Sequence, residues 1–280
     1  MPVLPVLLRV MVLMGLLSAP LYAQPTQAPL AFAYGSDPLQ NLDVYLPQNP
    51  KNAPVLLLVH GGGWRFGDQT DPATWRNKVD HWTARGAIVV STNYRLVPTV
   101  TPLEQARDVA RALAFVQAQA PQWGGQPQRL VMMGHSAGGH LTALLSANPQ
   151  WAWSEGAQGW LASVVLDSAA MDVPAIMQAT PSYLHQQAFG PHPASWADSS
   201  PMHHLSPLAP PVLLVCSSHR VHSCPQGRNF AAKLTALGGE AQVFPIDLSH
   251  RSINELLGLH PDYTQTVDRF LTEVGFWSVP

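Results

Sequence analysis

The stretch Arg129-Leu-Val-Met-Met-Gly-His-Ser136-Ala-Gly-Gly-His-Leu141 decides how the whole chain is read. Leu130 to Met133 form an apolar run of the kind that becomes a buried strand, and Leu141, Leu144 and Leu145 give the following residues a helical apolar face. Between the two, Gly134-His-Ser-Ala-Gly138 matches G-x-S-x-G. A serine on so sharp a strand-to-helix turn is held in a strained backbone conformation, with its Oγ clear of the sheet. Side chains two positions to either side would meet the neighbouring strand and helix, which suits Gly134 and Gly138. The helix that starts under Ser136 points free N–H groups and its positive dipole end at developing negative charge.

Outward from this turn, apolar strand-like runs alternate with helical patterns. Pro54-Val-Leu-Leu-Leu-Val59 suits a central parallel strand buried on both faces. It ends in His60-Gly-Gly-Gly-Trp64, where successive glycines let the backbone approach a ligand and aim N–H groups at it. Open α/β sheets bind ligands at such strand ends. Further strands are expected at 31–34, 42–46, 87–90, 161–166, 211–215 and 241–244, with helices over 72–85, 103–118, 226–237 and a closing helix ending near Val274. Alternation of this kind predicts an α/β fold with a mostly parallel central sheet of about eight strands and helices on both faces. Residues 169–206, rich in Pro, His, Trp and Ser, read as an irregular insertion over the sheet.

Composition bounds the function. The chain of 280 residues is 46% hydrophobic and 11% charged with net charge -2, which suits one compact core and argues against a nucleic-acid partner. Arg9 followed by Val10 to Leu17 and then Ser18-Ala-Pro-Leu-Tyr-Ala23 reads as a signal peptide over 1–23, with 24–280 as one domain. The apolar run is short for a bilayer span, so no membrane anchor is expected after cleavage, and the mature chain is expected to be secreted or periplasmic. The two cysteines, Cys216 and Cys224, then suggest a disulfide closing a short loop, worth about 2–3 kcal/mol on the chain-entropy model.

His60-Gly-Gly-Gly-Trp64, Gly134-His-Ser-Ala-Gly-Gly-His140 and a late His250 together resemble the α/β-hydrolase fold. Leu42-Asp-Val-Tyr-Leu-Pro47 and Asn93-Tyr-Arg95 resemble its carboxylesterase, feruloyl-esterase-like and kynurenine-formamidase-like branch, related to hormone-sensitive lipases. The resemblance implies a serine hydrolase of small-molecule carboxylic esters that needs no cofactor and no metal. It makes Ser136 the nucleophile, His250 the general base, and the N–H groups of Gly61, Gly62 and Ala137 the oxyanion hole. The chemistry agrees: serine attacks once a base takes its proton, and backbone donors stabilise the charge that develops on the carbonyl oxygen. Among twelve histidines, His250 follows both the serine and the last strand. His60, His135 and His140 read as structural, and His203-His204 lacks the carboxylate or thiol spacing of a metal site. Trp64 is placed to contact substrate and Tyr94 to wall the same pocket, with Trp151, Trp153, Trp160 and Trp196 around the insertion.

The chain departs from the family at the acid. The family usually places an Asp after the strand at 211–215, but that loop reads Cys216-Ser-Ser-His-Arg-Val-His-Ser-Cys224. Three readings stay open: an acid displaced to the loop after the preceding strand, where Asp172 has the reach and Asp167 reads as a strand-end residue; a Ser–His dyad; or lost catalysis. Asp172 is the expected acid, and Asp247 a structural support. A kynurenine-formamidase-like amidase and a non-catalytic binding protein are the rival functions.

Overall fold

The structure, a computed structural model, describes residues 28–277; the expected signal peptide over 1–23 lies outside them. The strands are β1 (Leu30–Ala33), β2 (Asn41–Tyr45), β3 (Ala53–Val59), β4 (Ile88–Thr92), β5 (Gly125–His135), β6 (Ala162–Leu166), β7 (Val212–Ser217) and β8 (Ala241–Ile246). They form one sheet in the order β1-β2-β4-β3-β5-β6-β7-β8. β1–β2 and β2–β4 pair antiparallel, and every other pair is parallel. This is the α/β-hydrolase fold.

Helices cover both faces: α1 (Pro72–Thr83), α2 (Pro102–Gln119), α3 (Ala137–Ala147), α4 (Gln150–Ser154), α5 (Val173–Gln178), α6 (Tyr183–Phe189), α7 (Pro193–Trp196), α8 (Pro201–His204), α9 (Ser223–Ala236), α10 (His250–Glu255) and α11 (Pro261–Glu273). Local chemistry sets the main starts. Asp71 caps α1 ahead of Pro72, and Thr101 with Glu104 forms a capping box on α2. β3 is buried along its whole length and splits its side chains between two layers. Val55, Leu57 and Val59 pack with Leu113, Val116, Leu141 and Leu144 on the α2–α3 side. Leu56 and Leu58 pack with Trp82, Val267 and Phe270 on the α1–α11 side. A strand with no polar face fits only at the centre of such a sandwich.

Residues 169–206, expected as irregular, instead carry the four short helices α5 to α8. Asp172 and Ser182 cap the first two, and Pro193 and Pro201 stand in the first turn of the others. Helices of four to seven residues are too short to show an apolar period in the sequence. No helix of the described residues is long and apolar enough to cross a membrane.

Candidate active site

β5 ends at His135, and α3 begins at Ala137. Ser136 between them has φ 55° and ψ −116°, the strained turn expected of a G-x-S-x-G serine. A Cβ on Gly134 would lie 2.3 Å from the Gly138 carbonyl oxygen, and one on Gly138 2.2 Å from that of Val59. Both glycines are therefore required by close backbone approach. The Ser136 N–H donates to the Leu166 carbonyl at 2.9 Å, which ties the turn to the end of β6.

His250 is the first residue of α10, behind the cap Ser249. Its Nε2 stands 3.0 Å from Ser136 Oγ, so the hydroxyl donates to it, and its Nδ1–H donates to Asp167 Oδ2 at 2.6 Å. Asp172, the expected acid, is not at this position. It caps α5, with Oδ1 accepting from the Ala175 N–H, while its own N–H donates to Gln226. Asp167 follows the last residue of β6 directly, at φ 50°. Register explains its reach: His135 pairs with Leu166 in parallel, so Ser136 and Asp167 leave the sheet side by side. The backbone bonding expected of a strand-end Asp is real, since the Ser217 N–H donates to Asp167 Oδ1 at 2.8 Å. The second carboxylate oxygen, Oδ2, faces His250 and also accepts from Arg220. Asp247 pairs instead with His219 on the exposed surface.

Burial pushes the Asp167 carboxyl up, but donors outweigh it. His250, the Ser217 N–H, Ser223 and the Arg220 charge together hold it well below the usual carboxylate range. A buried anion is thus available to orient the imidazole. Sequence reasoning missed Arg220 and Ser223, whose Oγ donates to Asp167 Oδ1. Both lie on the loop closed by Cys216 and Cys224, which form the expected disulfide.

The His60-Gly-Gly-Gly-Trp64 loop lies against the serine. A Cβ on Gly61 would stand 3.2 Å from Ser136 Cβ. The Ala137 N–H opens α3 and has no acceptor within its helix. Gly61 and the Ala137 N–H thus both lie next to Ser136. Asn93-Tyr-Arg95 supports the loop from below. Tyr94, expected to wall a pocket, is fully buried, and its OH donates to the His60 carbonyl at 2.9 Å. Arg95 makes a two-point pair with the buried Asp108.

Trp64, expected to contact substrate, is also buried. Its Nε1–H donates to His140 Nδ1 at 3.1 Å, and its ring meets Phe189 of α6 edge-on. His140 Nε2–H in turn donates to the Ser199 carbonyl at 2.7 Å. Trp64 is therefore a brace between the oxyanion loop, α3 and the 169–206 segment. Trp160 and Trp196 likewise sit in the core, bonded to Ser163 and Gly190. Trp151 rests on His204, and Trp153 is exposed.

Burial, together with the nearby His250, lowers the His135 pKa to about 3, and burial lowers that of His140 to about 4. Both rings therefore stay neutral near pH 7. His135 Nε2–H donates to the His250 backbone carbonyl at 2.9 Å and so holds the base from behind.

The BD-FAE family profile matches residues 42–234, a span that includes β2, the oxyanion loop, the serine turn, Asp167 and the disulfide loop. The chain belongs to the BD-FAE family. Among curated proteins, this family member is 31% identical over 222 residues to esterase LipC of Mycobacterium tuberculosis, covering 73% of this chain and 54% of that protein. The chain thus spans about half the length of that relative. Esterase Est2 of the planctomycete Thermogutta terrifontis superposes with a TM-score of 0.72 at 20% identity, over 90% of this chain and 94% of that one. A truncated carbohydrate esterase from gut microbiota superposes with a TM-score of 0.75 at 19% identity, over 91% and 100%. At that identity the two structures speak to the fold.

Proposed function

We propose that this BD-FAE protein is a serine hydrolase of small carboxylic esters, with Ser136 as nucleophile, His250 as base and Asp167 as acid. The observation that carries the reading is the continuous relay from Ser136 Oγ through both nitrogens of His250 to a buried carboxylate. The esterase names of LipC and Est2 support it. His250 takes the Ser136 proton as Oγ attacks the ester carbonyl. The Ala137 N–H and those of Gly61 and Gly62 meet the charge on oxygen. His250 then protonates the leaving alcohol, and water repeats the cycle on the acyl-enzyme. Asp167 fixes the imidazole tautomer and stabilises the imidazolium. With an acid in place, the motive for a non-catalytic binding protein falls away.

Export belongs to the same proposal. It rests on the signal-like pattern over 1–23 and on a disulfide, a form cysteines keep in oxidising compartments.

The test is hydrolysis of short-chain nitrophenyl esters, with fluorophosphonate labelling, by wild type and Ser136→Ala. Wild type should turn over the esters and label at Ser136, and the variant should do neither. Equal ester rates in the two proteins would sink the assignment. Turnover of formamides without turnover of esters would favour an amidase.

A further inference from the structure

The loop from Ser217 to Ser223 has no carboxylate of its own, yet it converges on the one that β6 supplies. The Ser217 N–H and Ser223 Oγ occupy Asp167 Oδ1. Arg220 Nη1 donates to the Asp167 backbone carbonyl at 2.8 Å and to Oδ2 at 3.0 Å. The same nitrogen lies 3.1 Å from His250 Nδ1. Cys216 and Cys224 stand just outside this segment and close it into a ring. Where the resemblance leads one to expect an acid, the loop has become a socket for an acid held elsewhere.

We propose that Arg220 is a positioning residue of the hydrolytic site: anchored on the disulfide-closed loop, its guanidinium fixes Asp167 against His250. The proposal rests on the esterase reading for its kinetic consequences. Its geometric basis is separate. Asp167 leaves β6 at positive φ, so neither a strand nor a helix ladder holds its carbonyl. Arg220 binds that carbonyl and the carboxylate oxygen that faces His250, which sets both backbone and side chain. Its charge also acts on the base: a cation 3.1 Å from Nδ1 opposes protonation of the ring, while Asp167 favours it. The other titratable group in contact with His250 is His135, which stays neutral. His185 of α6 feels the Arg220 charge from further away, and Lys78 of α1 reaches His135. Loss of Arg220 therefore removes the one cation that touches the pair among the described residues.

The experiment uses the full oxidised chain as wild type, Arg220→Met, Arg220→Lys and the double variant Cys216→Ala/Cys224→Ala. Two readouts are taken: kcat and KM for nitrophenyl butyrate from pH 5 to 9, and the pH at which the His250 ring signals move in NMR. In Arg220→Met, kcat should fall about tenfold with KM little changed, as for a misplaced reacting group. The acid limb of the rate profile and the ring signals should both move to higher pH. Arg220→Lys should keep the limb and recover most of kcat. The double alanine variant should lose kcat in the same direction, by a smaller factor. Should the Met variant fail to fold, Arg220→Gln, neutral but still a donor, takes its place. A neutral variant whose acid limb and ring signals match wild type overturns the proposal, even if it is less stable. If wild type neither cleaves esters nor labels with fluorophosphonate, the esterase reading falls, and the ring signals alone decide whether Arg220 acts on His250.

Discussion

Asp167 and Asp172 are five residues apart, and the structure gives them different work. Asp167→Asn should lower kcat by about 10³–10⁴-fold with little change in KM, because the imidazole loses its tautomer and its counter-charge. Asp172→Asn should leave kcat within about threefold of wild type. Asp172→Ala should cost about 1 kcal/mol of stability through the lost cap of α5. Steady-state kinetics and urea denaturation on the three variants check all of this. An Asp172→Asn variant as slow as Asp167→Asn would return the acid to the sequence-based position. The reason the sequence points to Asp172 is physical. Reach judged along the chain favours a residue some way past the strand end, whereas here the reach comes from parallel register across two strands and from one residue at positive φ. Neither is visible in one dimension. The meeting of Ser136 with His250 was legible because glycine spacing and chain order mark the two residues. Trp64 and Tyr94 were misjudged because an aromatic next to a glycine loop has the same appearance whether it faces ligand or braces the loop.

α10 carries His250 at its first position, and its far end is held by a buried lysine. Lys78 of α1 donates to the Asn254 carbonyl at 2.6 Å, to Asn254 Oδ1 at 3.1 Å and to the Ala73 carbonyl at 3.2 Å. Asn77 adds a bond to the Glu255 carbonyl. A six-residue helix has few internal bonds, so these contacts set its position. Burial lowers the Lys78 pKa to about 7, below the 10.5 of an unfolded lysine. Between those values the unfolded chain binds more protons than the folded one, so this group makes stability rise with pH across that window. Lys78→Met should flatten the rise, as urea midpoints at pH 7 and pH 9 would show. The same variant should lower kcat by several-fold, since α10 loses its anchor; a wild-type kcat with a flattened stability profile would mean that α10 is positioned without Lys78. Element order was readable along most of the chain because the central strands are unbroken apolar runs and α1 and α2 start at clear caps. The helices α5 to α8 were not, since their starts depend on caps and prolines scattered through a polar segment.

Across the molecule, acid stability should be limited by buried histidines. His135 and His140 stay neutral in the folded chain down to about pH 3 and 4, while an unfolded histidine takes up its proton near 6.5. The unfolded state therefore binds more protons over that interval, and stability drops as pH falls from about 6.5 toward 4, at a limit of about 2–3 kcal/mol per pH unit for two groups. The low carboxyl of Asp167 extends the same trend below pH 4. Denaturation midpoints at pH 7, 5.5 and 4.5 would reveal it, and a flat profile would contradict the burial of both rings. His140 has a second consequence, for how such a protein can diversify. One imidazole accepts from Trp64 on the oxyanion loop and donates to the Ser199 carbonyl in the segment that varies most in character from the rest of the fold. A graft that exchanged residues 169–206 for a segment of different shape would leave that proton without an acceptor, and the disturbance would arrive at the oxyanion loop through Trp64. The 169–206 segment is thus not a free module: any replacement of it must preserve a single backbone carbonyl, or be paired with a change at His140.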